Sequence, residues 1–521
     1  MKEPLFNRLL NYFHIDEEEY KRLTAPVSIS SFAEGHSFKD IDKAVAVVKT
    51  AIDNKDKIFI YGDYDADGIM STSIVVKSLL KLGIIPSFYI PNRYNDGYGI
   101  TLDKAKGLVN GGFKLVICVD NGVSALEAIN YLKDNNVKVL VLDHHTIPDE
   151  LPKADYIIHP SYSEFGETPT SAGFVSFMFS WALLGYFDKY LSTLAAISII
   201  SDMMPLKDYN RNFLRLVFSS YRDGDFYALD LLKEGLKFDE NAIGMKIAPK
   251  INALGRLLDD RSINDIVRYF VTGDREKINR LYEWIVSINE QRKQESKATI
   301  NNELDYNPNE PSIILLTDAK EGMLGLLANA ICSEQHKPVV IFAHEKEEGI
   351  LKGSCRAPQG FNVVDAFNSC GDIMLTAGGH ALAGGCSINE KDLELFKERF
   401  NKYVANNPLT YIEHGDIELG LTEINSDNCD LVLSFSPFGE GWKSPSFLVR
   451  HIKTDSLMYS KTNEHIISFI GEGAKIVGFN MPKNEVSEHS FIDVTGTMRK
   501  SYFKGRATVE FNIKDYQPCK K

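Results

Sequence analysis

The chain has 521 residues, 44% hydrophobic and 25% charged, a balance that excludes wholesale disorder and fibrous repeats. At roughly 100–200 residues per domain, this length predicts about three domains. A net charge of −13 argues against a protein that only coats nucleic acid. It leaves room for a nucleic-acid enzyme whose basic residues line the substrate path while clustered carboxylates inflate the negative count.

The first ~55 residues read as a helical lead-in, with Leu5, Leu9 and Leu10, then Ile41, Ala44, Val47 and Val48, at helical spacing. Short apolar runs then alternate with helical segments. Ile58 to Tyr61 precedes a helix around Ser71 to Leu82, Leu115 to Val119 precedes one around Ala125 to Asn135, and Val137 to Leu142 follows. This alternation predicts βαβ units and a parallel sheet covered by helices on both faces. From Thr170 to about Gln294 the pattern is mainly helical, and Ile278, Leu281, Ile285 and Ile288 mark a long amphipathic helix. A turn-rich linker at Tyr306 to Pro311 leads to a second α/β unit, with strands at Ile313 to Leu316 and Val339 to Phe342, ending near Pro408. The last ~110 residues change to short β-like runs, Phe447 to Ile452, His465 to Ile470 and Thr508 to Ile513, which suggest a small barrel or sandwich.

The seven cysteines are scattered and no CxxC pair occurs, so a zinc ribbon, a thioredoxin-type site and a disulfide framework lack support. No apolar h-region follows Met1-Lys2-Glu3-Pro4, and the run Phe174 to Phe187 stops at Asp188-Lys189, too short for a bilayer span. A cytoplasmic enzyme is expected.

Three consecutive predicted strands run into acidic residues: Asp63-Tyr64-Asp65-Ala66-Asp67-Gly68, then Asp120-Asn121-Gly122, then Asp143-His144-His145. In a parallel sheet the C-terminal strand ends line one crevice, so at least five carboxylates and two imidazoles should converge. Unneutralised, they would raise one another's pKa values. Divalent cations remove that penalty, and oxygen-rich sites with imidazole suit Mn²⁺ or Mg²⁺. The competing readings are Asx-turns and helix caps for each Asp singly, a tight turn for Gly68, and an acidic crevice for a basic or hydroxylated ligand.

These motifs resemble, in order and spacing, the first three of the DHH phosphoesterase superfamily. Ile200-Ser201-Asp202-Met203-Met204-Pro205 is similar to its fourth, and Ala377-Gly378-Gly379-His380 to the motif of the associated DHHA1 domain. Within the superfamily, Asp96-Gly97-Tyr98-Gly99, Pro249 to Arg256, Gly353-Ser354-Cys355-Arg356 and Pro437 to Gly441 resemble the RecJ family of single-stranded-DNA-specific exonucleases. The likeness runs from about Asp40 to Tyr516. Three details depart from the family pattern: Trp442, Cys355, and Ser198-Ile199-Ile200-Ser201 in place of a Gly/Thr/Ala-rich run. None of them is expected to touch a proposed ligand, though substrate fit near Arg356 could differ.

The resemblance implies a lead-in at 1–55, a DHH domain at 56–273, a connector helix at 274–305, a DHHA1 domain at 306–407 and an OB-like barrel at 408–521. It implies 5′→3′ exonuclease activity on single-stranded DNA in repair and recombination, with two Mn²⁺ or Mg²⁺ ions. Asp65, Asp67, Asp120, His144 and Asp202 would be the ligands, with Asp67 or Asp120 bridging. Asp63 would be a ligand or would hold one. His145 would hold the scissile phosphate or protonate the leaving oxygen, with Asp143 orienting its neighbours. Asn252, Arg256, Ser354 and Arg356 would bind the strand end, and Gly378, Gly379 and His380 a phosphate. Basic residues from Met498 to Lys521 (Arg499, Lys500, Lys504, Arg506, Lys514, Lys520 and Lys521), interleaved with Tyr502, Phe503, Phe511 and Tyr516, would form a nucleic-acid patch. A single-stranded-DNA-binding protein and a helicase are the implied partners. Two alternatives stay open: a phosphodiesterase of short oligonucleotides or cyclic dinucleotides, and a non-catalytic DNA-binding scaffold.

Overall fold

The computed structural model describes residues 3–32, 37–166, 168–302, 306–307, 309–345, 349–408, 416–471, 473–503 and 506–519. The chain divides into two compact units. One comprises residues 32–202 and 221–411, the other residues 1–31, 203–220 and 412–521.

In the first unit, β1 (Ile58–Tyr61), β2 (Ser87–Tyr89), β3 (Leu115–Val119), β4 (Lys138–Leu142) and β5 (Tyr156–Ile158) form a sheet of order β2-β1-β3-β4-β5. Every pairing in it is parallel. β3 is buried along its whole length, as expected for a strand rich in Val and Ile with both faces covered. From β1 the chain steps outward to β2 and then returns to the other side of β1 for β3. The strand order therefore reverses between β1 and β3, and ligands gather at the carboxyl ends of strands flanking such a switch point.

The 28-residue helix Arg275–Asn302 precedes a second sheet made of β6 (Ile313–Leu316), β7 (Val339–His344), β8 (Ile350–Arg356), β9 (Met374–His380) and β10 (Ala383–Asn389). Its order is β6-β7-β8-β10-β9, with only β6 and β7 parallel. Along β8, buried and partly exposed residues alternate. Ser354 and Arg356 thus share one face, while Cys355 enters the apolar core with Val340, Phe342 and Phe367. The cysteine side chain inside the Gly-Ser-x-Arg motif thus points into the core, while its carbonyl accepts from Arg356 Nη1 at 2.7 Å.

The second unit holds a six-stranded sheet: β11 (Ile417–Leu419), β12 (Phe447–Lys453), β13 (Ile466–Phe469), β14 (Ala474–Gly478), β15 (Phe491–Phe503) and β16 (Arg506–Pro518), in the order β11-β12-β15-β16-β14-β13. Its core includes Leu5, Leu9 and Leu10 of the helix Leu5–Phe13. The lead-in expected as one piece over 1–55 is thus divided. Residues 1–31 lie in this unit, whereas the helix Ile41–Asp53 belongs to the first. The apolar stripe of each helix decides where it packs, and nothing local in the sequence names the partner. Trp442, which departs from the family pattern, is structural: it stacks on Phe13 at 4.4 Å and lies over the buried Arg211 guanidinium at 4.7 Å. Arg211 in turn donates to the carbonyls of Phe435, Ser436 and Pro437.

Candidate active site

The turn after β1 leads into the helix Ala66–Lys81, capped by Asp65, whose side chain accepts from Gly68 N at 3.0 Å. The helix therefore begins earlier than periodicity predicts, and Gly68 lies inside it. Its role is close approach: a Cβ there would lie 2.6 Å from Asp63 Cβ and from the Asp63 carbonyl oxygen. Asp67, in the first turn, is buried and accepts from Ala172 N (2.9 Å), Gly173 N (2.8 Å) and Ser198 Oγ (2.5 Å). Two of these donors are the opening amides of the helix Ala172–Leu184, an anion-binding helix end. Ser198, expected to touch no proposed ligand, grips one. The separation of 131 residues between the two hid the contact from sequence reasoning.

After β3, Asp120 adopts a left-handed backbone with φ 60°, a conformation that costs energy and is found at functional turns. Asn121 ties the strand ends together, donating to the carbonyls of Tyr61, Gly62 and Val119. After β4, Asp143 is fully buried and accepts from His144 N and Val123 N, and His145 Nδ1 lies 2.8 Å from its Oδ1. Asp202 follows the last residue of the helix Lys189–Ser201.

These residues converge. His144 Nε2 lies 3.3 Å from Asp120 Oδ1, 3.5 Å from Asp202 Oδ2 and 3.7 Å from Asp67 Oδ2. Three sets bring their ligand atoms within 4.8 Å of one another: Asp63, Asp65 and Asp120; Asp67, His144 and Asp202; Asp120, His144 and His145. Among the described residues, the buried oxygens Asp63 Oδ1, Asp120 Oδ1 and Asp202 Oδ2 have no hydrogen-bond partner. Native interiors seldom leave such atoms unpaired without an ion or other partner. Burial, reinforced by Asp65, pushes the Asp63 carboxyl well above the usual carboxylate range. Burial and then the charges of Asp67, Asp65 and Asp63 do the same to Asp120, and burial with Asp67 raises Asp65. Asp202 is pushed up to about 8 by burial and by Asp67 and Asp65. Hard oxygen donors with one or two imidazoles, several left unsatisfied and repelling one another, fit a pair of divalent cations of the Mn²⁺ or Mg²⁺ type.

Asp143 behaves differently. Burial alone would raise its pKa, but the bond and charge of His145 hold it below the ordinary value. Burial would likewise lower His145, yet Asp143 raises it above the usual imidazole value. With 43% of its side chain exposed, His145 faces the crevice, and the Tyr98 hydroxyl lies 3.0 Å from its Nδ1 while reaching the Asp120 carbonyl at 3.2 Å. His159, absent from the sequence reading, places Nε2 2.9 Å from the His145 carbonyl and is buried.

Cations border the acids. Arg93 sits over the Tyr64 ring at 4.5 Å, and its buried Nε has no partner among the described residues. Arg256 donates to the Gly322 carbonyl at 2.6 Å. Burial, with Arg93, Arg292 and Arg356 nearby, brings its pKa down to about 10. Arg356 donates to Ser354 Oγ at 3.2 Å. Gly322 and Gly325, in the first two turns of the helix Glu321–Gln335, leave the space these arginines occupy: a Cβ at 322 would lie 3.1 Å from Arg256 Cα, and one at 325 2.7 Å from Arg356 Nη2. Arg93 and Arg292 were missed because a single arginine in a polar stretch carries no signal of its own.

Other expected residues lie elsewhere or are otherwise engaged. Asn252 Oδ1 accepts from Ala66 N at 2.9 Å and so anchors the helix start. Gly378, Gly379 and His380, expected to bind a phosphate, lie on the exposed edge strand β9, paired with β10. In the C-terminal patch, Arg499 pairs with Glu510 and Lys500 with Asp430, and Phe511 is core, so the patch is partly neutralised. Lys504, Lys520 and Lys521, and the side chains of Tyr502, Phe503 and Arg506, lie outside the described residues. Among the described residues, the most exposed aromatics of this unit are instead Phe469 and Phe479, 63% and 60% exposed. No helix among the described residues is long and apolar enough to cross a membrane.

A two-unit α/β and β protein with a carboxylate-imidazole crevice at a topological switch point matches known families along most of its length. The DHH family N-terminal domain matches residues 57–206, the DHHA1 domain residues 310–406 and the RecJ OB domain residues 415–515. The single-stranded-DNA-specific exonuclease RecJ of Haemophilus influenzae is 30% identical over 487 residues, covering 85% of this chain and 83% of the relative. That of Bacillus subtilis is 29% identical over 540 residues, covering 98% and 68%. The fold is similar to the crystal structure of RecJ in complex with Mn²⁺ from Thermus thermophilus, with a TM-score of 0.78 at 23% identity over 100% of this chain and 79% of that one. The chain belongs to the RecJ family.

Proposed function

We propose that the chain is a metal-dependent exonuclease that hydrolyses phosphodiester bonds of single-stranded DNA from the 5′ end, in DNA repair and recombination. The observation that carries the chemistry is the set of unpartnered, buried carboxylate oxygens on Asp63, Asp120 and Asp202 beside the arginine cluster. Asp63, Asp65 and Asp120 would hold one cation, and Asp67, His144 and Asp202 the other. Asp120 Oδ1 also lies 3.3 Å from His144 Nε2 of the second set, so Asp120 would border both. When bound, two Mn²⁺ or Mg²⁺ ions supply Lewis-acid neutralisation of the charge on the phosphoryl group.

The chain's own residues supply the rest. Asp143, held below its ordinary pKa, orients His145 and favours its protonated form, from which the ring would donate a proton to the leaving oxygen. Tyr98 steadies the same ring. Arg256 and Arg356, with Arg93 and Arg292 adding to the field, would hold the terminal 5′-phosphate, since guanidinium forks suit phosphate oxygens. The exposed Phe469 and Phe479 would stack successive bases of the strand. We infer a cytoplasmic site of action, and a single-stranded-DNA-binding protein and a helicase as the partners that would supply substrate.

The test is degradation of an end-labelled single strand in Mn²⁺, with a 5′-phosphate or a blocked 5′ end, by the wild type and by Asp120→Ala. Mononucleotides released only from the free 5′ end, and lost in the variant, are expected. Turnover of dinucleotides alone would move the assignment to a short-substrate phosphodiesterase.

A further inference from the structure

Away from the acidic crevice, three neighbouring strands of the second unit bring a different set of donors together. β15 pairs with β12 on one side and β16 on the other. Between Val449↔Val494 and Ile452↔Ile492 the register shifts, so β12 spends one residue more than β15. This bulge leaves Arg450 and His451 both exposed, with His451 in a left-handed backbone at φ 59°, an uncommon conformation for a residue bearing a Cβ. The outcome is that His451 N donates to Asp493 Oδ1 at 2.8 Å. From the other flank, just beyond β16, Cys519 is fixed by its amide to the Phe491 carbonyl at 3.1 Å, and its Sγ lies 3.0 Å from Asp493 Oδ1. One ligand atom each from His451, Asp493 and Cys519 falls within 4.8 Å of the other two.

We propose that His451, Asp493 and Cys519 form a metal site of zinc type, distinct in chemistry from the oxygen-rich crevice. A thiolate, an imidazole and a carboxylate favour Zn²⁺, or Co²⁺ in its place, over Mg²⁺ or Mn²⁺, and leave a fourth tetrahedral position for water. Arg450 binds Asp493 Oδ2 at 3.1 Å, which leaves Oδ1 as the oxygen facing the two partners. Without metal the thiol keeps its proton, because burial and the Asp493 charge raise its pKa. On binding, the S–H proton passes to solvent as the sulfur–metal bond forms and the aquo ion sheds the waters that the three ligands replace. The site would clamp the end of β16 and the β12 bulge to β15.

The test uses the full chain in excess Mg²⁺, titrated with Co²⁺. One equivalent giving a near-ultraviolet thiolate-to-cobalt charge-transfer band, bleached by Zn²⁺, is expected. His451→Asn, which tolerates the left-handed backbone, and Asp493→Asn should each weaken Co²⁺ binding at least about tenfold, on the scale of a lost ligand contact, and Cys519→Ser should abolish the band. A readout on the unmodified protein guards against misfolded variants. Cys519 is the only partly exposed cysteine, the other six being buried, so Zn²⁺ and not Mg²⁺ should protect it from alkylation. Absence of the charge-transfer band, its persistence in both His451→Asn and Asp493→Asn, or alkylation indifferent to Zn²⁺ would overturn the proposal and leave the three groups as a hydrogen-bonded clamp.

Discussion

The Ser198 hydroxyl donates to Asp67 Oδ1 at 2.5 Å, and its oxygen accepts from Gly173 N at 3.1 Å. One side chain thus joins the first turn of the helix Ala66–Lys81 to the opening turn of the helix Ala172–Leu184 and to the helix that delivers Asp202. The hydroxyl stands in a run that departs from the family pattern, yet it aims one of the carboxylates proposed to hold metal. Ser198→Ala removes a hydrogen bond to a buried charge, a loss of about 1.5–3 kcal/mol. It should also weaken apparent Mn²⁺ affinity about 10–100-fold, as loss of a group orienting a ligand does. Denaturant unfolding and metal titration of activity check the two effects. An unchanged metal requirement in Ser198→Ala would mean that the Ala172 and Gly173 amides suffice to position Asp67.

The crevice predicts an unusual stability profile once divalent ions are stripped away. Asp63, Asp120 and Asp202 all have folded pKa values above the ordinary carboxyl value, Asp202 at about 8. Below about pH 4, folded and unfolded carboxyls are both protonated and the groups contribute no pH dependence. As pH rises, the unfolded chain releases protons that the folded chain retains, so stability falls until pH passes the folded values. Chelator-treated protein should therefore melt at progressively lower temperature from about pH 5 to about pH 8. Added Mn²⁺ should raise the melting temperature most at the upper end. A metal-free melting temperature that climbs across this range would show that the carboxylates are stabilised in their charged form by the protein alone.

His145 and Asp143 make a chemical pair whose removal should separate catalysis from metal binding. His145→Ala is expected to lower kcat by about 10²–10⁴-fold, the usual contribution of a positioned general acid, with little change in the Mn²⁺ concentration needed. Asp143→Asn keeps an oxygen near the ring but no negative charge. It should lower the pKa of His145, because Asp143 is what raises it, and move the basic limb of the pH–rate profile to lower pH. A basic limb that stays in place in Asp143→Asn would assign that limb to another group.

How much of this was legible beforehand depends on how far apart the contacting residues lie. The acids after β1, β3 and β4 each follow an apolar run directly, and the parallel sheet does the convergence, so local pattern plus topology was enough. Asp202 carried no such pattern and rested on resemblance. Ser198 on Asp67, the helix Leu5–Phe13 in the core of a sheet that begins near residue 417, and Gly325 making room for Arg356 are all long-range relations. Composition also misled at the C-terminus. Counting seven basic residues against Glu510 and Asp515 from Met498 onward says nothing of pairing: Glu510 is buried and binds both Lys475 and Arg499, and Asp430 comes from elsewhere in the chain to meet Lys500.

That correction moves the expected single-strand surface to another edge of the same unit. β13 alternates buried and exposed residues, placing Ile467 and Phe469 on its open side, while the Phe479 ring lies 5.5 Å from His465. An aromatic at each end of an edge strand offers two stacking platforms without sequence preference. Phe469→Ala and Phe479→Ala should each weaken binding of a long single strand by about 1–3 kcal/mol, the range of one base–aromatic stack. Both side chains are exposed, so the melting temperature should hardly move. Turnover of a dinucleotide, whose two bases these rings are not proposed to hold, should be unchanged. Fluorescence anisotropy of a labelled single strand, beside dinucleotide turnover, separates the two effects. Equal losses on both substrates would place these rings in the catalytic path and remove them from the strand-binding surface.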